Sequence, residues 1–131
     1  LDDSIIRGTQ LKDNVVKLRE CGVKEVHIRI ACPPLIYPCC FLNFSTSRST
    51  FDLFARRVIR DLEGTSELTD EILKPYSDPD SEKYKEMVRV MCQHLQLDSL
   101  QFQRLDDLVK AIGLPKEQLC THCWDNSSYM E

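Results

Sequence analysis

The chain has 131 residues, of which 42% are hydrophobic and 29% are charged, and its formal net charge is −4. This length suits one domain, and the composition is typical of a folded globular protein, not of a disordered or fibrous one. The acidic balance argues against a nucleic-acid-binding surface, which needs clustered lysine and arginine. No stretch approaches the ~18 consecutive apolar residues of a membrane span, and no secretory signal opens the chain, so we expect a cytoplasmic protein.

The first quarter of the chain has the pattern of a strand, a helix and a second strand. Leu1 ends the first strand, residues 9–20 form an amphipathic helix, and Gly22 follows as a stop signal. Residues 24–31 read KEVHIRIA, an alternation that is typical of a strand, and Pro33 ends it. A strand, helix and strand in this order give parallel strands with a right-handed connection. We therefore predict an α/β fold with parallel strands and flanking helices.

Three helices and one short strand are predicted in the rest of the chain. Residues 50–62 and 82–95 carry apolar residues at helical spacing, and a last helix ends at Gly113. Residues 99–102 form a short strand before that last helix. Residues 65–81 are polar and rich in acidic side chains, so we expect an exposed connection there.

We expect residues 1–131 to form a single unit with a cysteine-containing tail over about 114–131. The chain opens on Leu1 without a methionine and without a lead-in to the strand that this residue ends. We therefore expect the sequence to be a piece of a longer protein.

The most informative segment is the opening run DDSIIRGT. Asp2 and Asp3 precede a short loop and a helix N-terminus, and ligands of open α/β sheets bind at the carboxyl ends of strands. Carboxylates accept hydrogen bonds from sugar hydroxyls and help to hold Mg²⁺, whereas loop N–H groups and a helix dipole favour phosphate. Gly8 lets the backbone approach a phosphate closely, Thr9 can cap the helix, and Arg7 either adds charge or is only solvated. The residues fit a phosphorylated-sugar site, and they also fit a capped turn without function.

The run DDSIIRGT resembles the phosphoribosylpyrophosphate loop of type I phosphoribosyltransferases, and its SIIRGT part is similar to that of the amidophosphoribosyltransferases in particular. The runs KEVHIRIACPPLIYPC and DSLQFQRLDDLVKAIGLPKEQLCTHC resemble later segments of the same family. Residues 61–95 depart from the family pattern, and Gln10 stands where a second threonine is common. The resemblance implies part of a type I phosphoribosyltransferase fold with a C-terminal helical extension. It also implies that Asp2 and Asp3 bind the ribose hydroxyls and magnesium. The implied 5′-phosphate loop consists of Ser4, Ile5, Ile6, Arg7, Gly8 and Thr9.

The resemblance further implies an enzyme of de novo purine synthesis, which makes 5-phosphoribosylamine from phosphoribosylpyrophosphate and glutamine. The full-length parent would join this chain to a glutaminase domain and would form a homo-oligomer. The chain would be the C-terminal portion of the phosphoribosyltransferase domain, inactive by itself. Two alternatives stay open: a non-catalytic phosphoribosylpyrophosphate-binding module and a metal-binding interaction domain.

Seven cysteines are spread unevenly along the chain, which is not the pattern of a secreted disulfide framework. The run CTHC gives Cys120 and Cys123 the two-residue spacing of metal ligands. By the family resemblance, Cys39, Cys120 and Cys123 match three of the four ligands of a [4Fe–4S] cluster that several amidophosphoribosyltransferases carry. The fourth ligand in those proteins lies upstream of the segment that this chain matches.

Four thiolates normally hold such a cluster, so Cys32 or Cys40 would have to complete the set within this chain. A zinc site with His122, a redox-active CTHC and two unligated cysteines are further interpretations. Cys21 and Cys32 lie where buried free cysteines are common, and we assign them no function.

Overall fold

The computed structural model describes residues 1–39, 41 and 49–127. Its elements, in chain order, are α1 (Thr9–Glu20), β1 (His27–Ile30), α2 (Phe54–Glu63), α3 (Asp70–Leu73), α4 (Glu82–His94), β2 (Ser99–Phe102), α5 (Leu105–Ile112) and α6 (His122–Asp125). Short 3₁₀ turns cover Thr50–Asp52, Lys74–Ser77 and Lys116–Gln118. Across the described ranges, no helix is long and apolar enough to cross a membrane.

The sheet is parallel, as the sequence predicts. β1 pairs with β2 in a register that places His27 opposite Ser99 and Ile30 opposite Phe102. On the other side of β1, Asp2 forms a parallel bridge: its N–H donates to Arg29 O at 3.0 Å, and its carbonyl accepts from Ala31 N at 2.9 Å. The chain therefore leaves the carboxyl edge of the sheet directly after Asp2.

The core lies against one face of this sheet. Val26 and Ile30 are buried and Ile28 is half-buried, whereas the alternate residues His27 and Arg29 are exposed. Each fully buried aliphatic or aromatic side chain contributes roughly 1.5–3 kcal/mol to stability. The helices and the loops between them supply most of the remaining core, whose fully buried side chains include Val15, Val58, Ile59, Leu73, Tyr76, Met87, Met91 and Leu95.

Helix α1 matches its predicted range and ends in a Schellman motif. Gly22 adopts a φ of 86°, its N–H donates to Arg19 O, and Val23 N donates to Leu18 O. A glycine at this position takes the left-handed conformation without a steric penalty. The motif turns the chain from α1 back toward β1. Cys21, expected to be buried, lies beside this motif on the exposed surface.

The predicted helix 50–62 is interrupted in the structure. Residues Thr50–Asp52 form a 3₁₀ turn, Leu53 is extended, and α2 starts at Phe54. Ser49 caps the 3₁₀ turn, because its Oγ accepts a hydrogen bond from Phe51 N at 3.2 Å. The interruption buries Leu53 in addition to the residues of the predicted apolar stripe.

The segment 65–81 differs from the predicted exposed connection. It contains α3 and the 3₁₀ turn Lys74–Ser77, and the side chains of Leu73 and Tyr76 are almost completely buried. Tyr76 also donates a hydrogen bond from its hydroxyl to Glu63 Oε1 at 2.6 Å. Two apolar residues three apart place one small face against the core, while the many polar neighbours point outward.

The C-terminal part follows the predicted order of helix, strand, helix and tail. α4 starts after Ser81, whose hydroxyl accepts from Tyr84 N at 3.1 Å, and Cys92 is half-buried beside the core. α5 ends at Gly113, and the tail then folds back through α6.

The connection between α1 and the sheet depends on one carboxylate. Asp98 Oδ2 accepts hydrogen bonds from Val26 N at 2.7 Å and from Arg19 Nη2 at 2.6 Å. Arg19 also donates to Lys24 O at 2.7 Å and to Gln96 O at 2.9 Å. The hydrogen bond from Val26, followed by that from Arg19, lowers the pKa of Asp98 below its usual value of 3.8.

We predict that Asp98→Asn lowers the unfolding temperature near neutral pH. Because the folded pKa of Asp98 is depressed, its contribution is present above the unfolded pKa of about 3.9 and is lost as pH falls through the folded value. The difference in unfolding temperature between wild type and variant should therefore become smaller below about pH 4. Thermal unfolding followed by circular dichroism at several pH values measures this. Asp13→Asn, at an exposed position of α1, is the matched control, and an equal loss in both variants would contradict the assignment.

Candidate functional site

The run from Asp2 to Thr9, here called the loop 2–9, leaves the sheet at β1 and leads into α1. Asp2 Oδ1 accepts a hydrogen bond from Asp3 N at 2.8 Å, and Asp3 Oδ1 accepts from Ser4 N at 2.7 Å. Ile5 anchors the middle of the loop in the core with only 5% of its surface exposed. The two carboxylates are thus held at the carboxyl edge of the sheet by their own backbone.

Gly8 is required in the loop 2–9 for two reasons. Its φ of 77° lies in the left-handed region, which L-residues with a side chain rarely adopt. An added Cβ would also approach the Phe54 ring to 3.2 Å. The sequence suggested a close approach to a phosphate at this glycine, and the structure adds a close approach to an aromatic ring.

Thr9 does not cap α1, in contrast to the sequence-based expectation. The N-cap is Gly8, whose backbone carbonyl accepts the first helical hydrogen bond from Lys12 N at 3.0 Å, and no side chain caps the helix. The first turn contains no acidic residue. The helix N-terminus therefore presents N–H groups and a positive partial charge that no carboxylate of this turn offsets.

Helix α2 contacts the loop 2–9 and holds its backbone in place, a contact that the sequence did not predict. Phe54 N donates to Ile6 O at 2.7 Å. Arg57 donates from Nη2 to Arg7 O at 2.5 Å and from Nη1 to Phe51 O and Asp52 O at 3.1 and 3.0 Å. The apolar spacing identifies Phe54 as a helix residue that faces the core, but no local signal identifies its contact with Gly8.

An open concavity of about 750 Å³ lies over this loop. All eight residues predicted to bind the sugar phosphate line it, which brings the two carboxylates and the α1 N-terminus to one surface. Its volume is in the range of ordinary small-molecule sites, about 300–1,000 Å³. The complete lining is Asp2, Asp3, Ser4, Ile5, Ile6, Arg7, Gly8, Thr9, Gln10, Leu11 and Asn14.

Of the three predicted cluster cysteines, Cys39 and Cys120 each lie close enough to Cys123 to affect its pKa. Ile36 N and Tyr37 N both donate to Cys123 O, at 2.9 and 3.0 Å, so the tail folds onto the segment that carries Cys39. Burial raises the pKa of Cys123 to about 12, with further increases from the Cys39 thiol and from Cys120. Cys39 is buried, whereas Cys120 is exposed.

Of the two cysteines that are candidates for a fourth ligand, the structure describes only Cys32. Cys40 lies outside the described residues. Burial raises the pKa of the Cys32 thiol to about 11, the Trp124 indole opposes that shift, and Asp3 and Asp2 reinforce it, so Cys32 lies toward the loop 2–9. The His122 ring lies against Tyr37, with the ring centroids 6.0 Å apart. Within the described part of the chain, no group of three or more histidine, cysteine or acidic residues has the geometry to hold a metal ion.

Comparison with known proteins identifies relatives over the whole chain. No family model matches the sequence. The amidophosphoribosyltransferase of Mycobacterium tuberculosis is 30% identical over 132 aligned positions, which cover 100% of this chain and 20% of that protein. The amidophosphoribosyltransferase of Methanocaldococcus jannaschii is 31% identical over 124 residues, covering 94% of this chain and 19% of that protein. The chain belongs to the amidophosphoribosyltransferase family. It spans about a fifth of the length of these relatives.

Shorter and structural matches agree with this family. The Pyrococcus horikoshii amidophosphoribosyltransferase is 59% identical over 39 residues, or 30% of this chain and 9% of that protein. The glutamine phosphoribosylpyrophosphate amidotransferase of B. subtilis, complexed with ADP and GMP, superposes with a TM-score of 0.60 at 24% identity, covering 95% of this chain and 22% of that one. A solved allosteric regulatory enzyme of purine biosynthesis gives a TM-score of 0.62 at 25% identity, covering 97% and 22%. The predicted family and the predicted α/β fold class are thereby confirmed.

We predict that Gly8→Ala destabilises the protein and weakens ligand binding at the loop 2–9. The left-handed φ alone costs roughly 1–2 kcal/mol for a residue with a Cβ, and the contact with Phe54 adds a further cost. Gly113→Ala is the matched control, because Gly113 has a φ of 78° but nothing within 4 Å of an added Cβ. Denaturant unfolding compares the two variants. If Gly8→Ala lowers the free energy of unfolding no more than Gly113→Ala does, the proposed role of the Phe54 contact is refuted.

Proposed function

We propose that this chain supplies the phosphoribosyl-binding loop of an amidophosphoribosyltransferase, as the C-terminal portion of its phosphoribosyltransferase domain. The observation that carries the proposal is the concavity of the loop 2–9, which combines two carboxylates with a helix N-terminus free of acidic side chains. Family membership supports the assignment, because the relatives that cover the whole chain are named for this activity.

In this proposal the two ends of the concavity hold different parts of a ribose 5-phosphate unit. The backbone N–H groups from Ser4 to Thr9, together with the α1 N-terminus, bind the 5′-phosphate. The carboxylates of Asp2 and Asp3 accept hydrogen bonds from the two ring hydroxyls. Arg57 acts indirectly, since it holds the Arg7 carbonyl and with it the shape of the loop.

Asp2 and Asp3 are also the residues that would hold Mg²⁺. Magnesium is commonly bound through one or two carboxylates plus substrate oxygens, so two adjacent carboxylates on an open concavity are a suitable protein contribution. When bound, the ion neutralises negative charge on the pyrophosphate of the substrate. The carboxylates themselves position the ribose and favour the positive charge that develops at its anomeric carbon.

The full-length parent would make 5-phosphoribosylamine. Ammonia released from glutamine by a glutaminase domain would form the new C–N bond at the anomeric carbon, and the C–O bond to pyrophosphate would break. Residues 1–131 form one unit in this arrangement, 114–131 form its cysteine-containing tail, and the parent is a cytoplasmic homo-oligomer. We expect no turnover by residues 1–131 alone, because they span only about a fifth of the length of the relatives named for this activity.

Cys39, Cys120 and Cys123 are proposed as three ligands of an iron–sulfur cluster in the parent. The contacts from Ile36 and Tyr37 to Cys123 support the proposal, because they bring the tail to the Cys39 segment. The three cysteines do not have the geometry of a metal site in the described part of the chain, so the cluster would require them to move closer together. A fourth ligand would come from outside these three residues.

We predict saturable binding of ribose 5-phosphate in the presence of Mg²⁺, measured by isothermal titration calorimetry. Asp2→Asn/Asp3→Asn removes the charged acceptors of the ribose hydroxyls, so affinity should fall about tenfold or more. Asp13→Asn removes a carboxylate from an exposed position of α1 outside the concavity and should leave affinity unchanged. Unaltered binding in the double variant, with its fold intact, would show that the loop 2–9 is not the ribose site.

We predict that anaerobic reconstitution of the full-length protein with iron and sulfide loads a cluster that depends on the CTHC tail. Cys123→Ser should lower bound iron and the sulfide-to-iron charge-transfer absorbance to background. Cys21→Ser should retain both, because Cys21 is exposed beyond the end of α1, outside the tail. Equal iron loading of both variants would exclude the proposed cluster ligands.

A further inference from the structure

A second concavity adjoins the first, with a volume of about 320 Å³. It shares Arg7, Gly8 and Thr9 with the loop 2–9, but its other walls come from α1, α2 and the end of α4. We call it the α2 pocket, defined by Lys12, Phe54, Arg57, Arg60 and His94. Nothing in the proposed phosphoribosyl function uses these outer walls as a binding surface.

The α2 pocket has a strong excess of positive charge. Its lining contains Arg7, Lys12, Arg57 and Arg60, against the single carboxylate of Asp61. That carboxylate already accepts from Arg60 Nε and Nη2 at 3.0 Å. Within the described part of the chain, the other three cations form no ion pair with a carboxylate. The net charge of the whole chain is −4, so the electrostatic potential in the α2 pocket has the opposite sign to the net charge of the protein.

Arg57 is held in place and still has hydrogen-bonding capacity. A guanidinium has five N–H donors, and Arg57 uses three of them on the carbonyls of Arg7, Phe51 and Asp52. All three acceptors are neutral, so its charge is not compensated, and two donors remain. Its guanidinium carbon also lies 5.5 Å from the centroid of the Phe54 ring. An anion would meet a cation that is already ordered, which lowers the entropic cost of binding.

Arg60 is similarly constrained on the neighbouring turn of α2. Its guanidinium lies 5.3 Å from the centroid of the Phe51 ring and bonds Asp61. Lys12 and Arg7 are exposed and can move toward a ligand. The pocket therefore combines two fixed guanidinium groups with two mobile cations around one volume.

We infer that the α2 pocket binds a phosphate-bearing anion, separately from the sugar-phosphate site of the loop 2–9. A tetrahedral oxyanion accepts hydrogen bonds in several directions, which suits guanidinium and ammonium groups arriving from different walls. A volume of about 320 Å³ accommodates inorganic phosphate, pyrophosphate or a small phosphate monoester. The inference goes beyond the proposed function, because it stands on the outer walls of the pocket and not on Asp2 or Asp3.

The test is isothermal titration calorimetry with pyrophosphate, inorganic phosphate and glycerol 2-phosphate, each in the presence of saturating ribose 5-phosphate. Lys12→Glu reverses one uncompensated charge and should weaken binding of the preferred anion about ten- to a hundredfold. Arg60→Gln should weaken it as well. Lys17→Glu makes the same charge change on an exposed position of α1 that does not line the pocket, and should change affinity less than about twofold.

The result that supports the inference is a saturable anion isotherm that survives ribose 5-phosphate and is lost selectively in Lys12→Glu. The relative affinities for the two inorganic anions and the monoester then identify the source of the phosphate. Equal weakening by Lys12→Glu and Lys17→Glu would overturn it. Failure of the proposed phosphoribosyl function is distinguishable, because binding of ribose 5-phosphate would then not depend on Asp2 and Asp3. Matching circular dichroism spectra of the variants exclude unfolding as the cause.

Discussion

The contact between α2 and the loop 2–9 is the constraint on which the candidate site depends. Phe54 presses its ring against Gly8 and donates its backbone N–H to Ile6, and Arg57 donates to the carbonyl of Arg7 one helical turn later. These contacts join residues about fifty positions apart in the sequence. They order a loop whose own hydrogen bonds, between adjacent residues at Asp2, Asp3 and Ser4, are too local to define its path.

The position of α2 depends in turn on the core beneath it. Val58 and Ile59 are completely buried, as are Met87 and Met91 of α4. This packing holds the first turn of α2 under the loop, while the sheet holds the loop's other end through the bridge between Asp2 and Ile30. A loop held at both ends by rigid elements is the arrangement expected for a binding segment.

Charge is distributed unevenly around this scaffold. The chain is acidic as a whole, yet the first turn of α1 lacks acidic residues and the neighbouring α2 pocket gathers four cations. Acidic and basic residues are elsewhere paired on the surface, for instance Arg104 with Asp80 and Arg89 with Glu86. The segregation leaves two positive regions beside the carboxylates of the loop. The α1 N-terminus suits the phosphate of a sugar phosphate whose hydroxyl groups meet the carboxylates, and the α2 pocket suits a second anion.

The sequence by itself determined the order of the long helices and of the strands, the parallel sheet and the position of the loop 2–9. These follow from short-range patterns: the alternation in β1, the apolar spacing in α1 and α4, the glycine that ends α1, and the motif DDSIIRGT. The tertiary structure decided what depends on distant partners. Four features depend on contacts between segments that no local periodicity relates. They are the burial of Leu73 and Tyr76, the interruption at Leu53, the contact of Cys39 with Cys123, and the contact of Phe54 with Gly8. Only packing in three dimensions selects those partners.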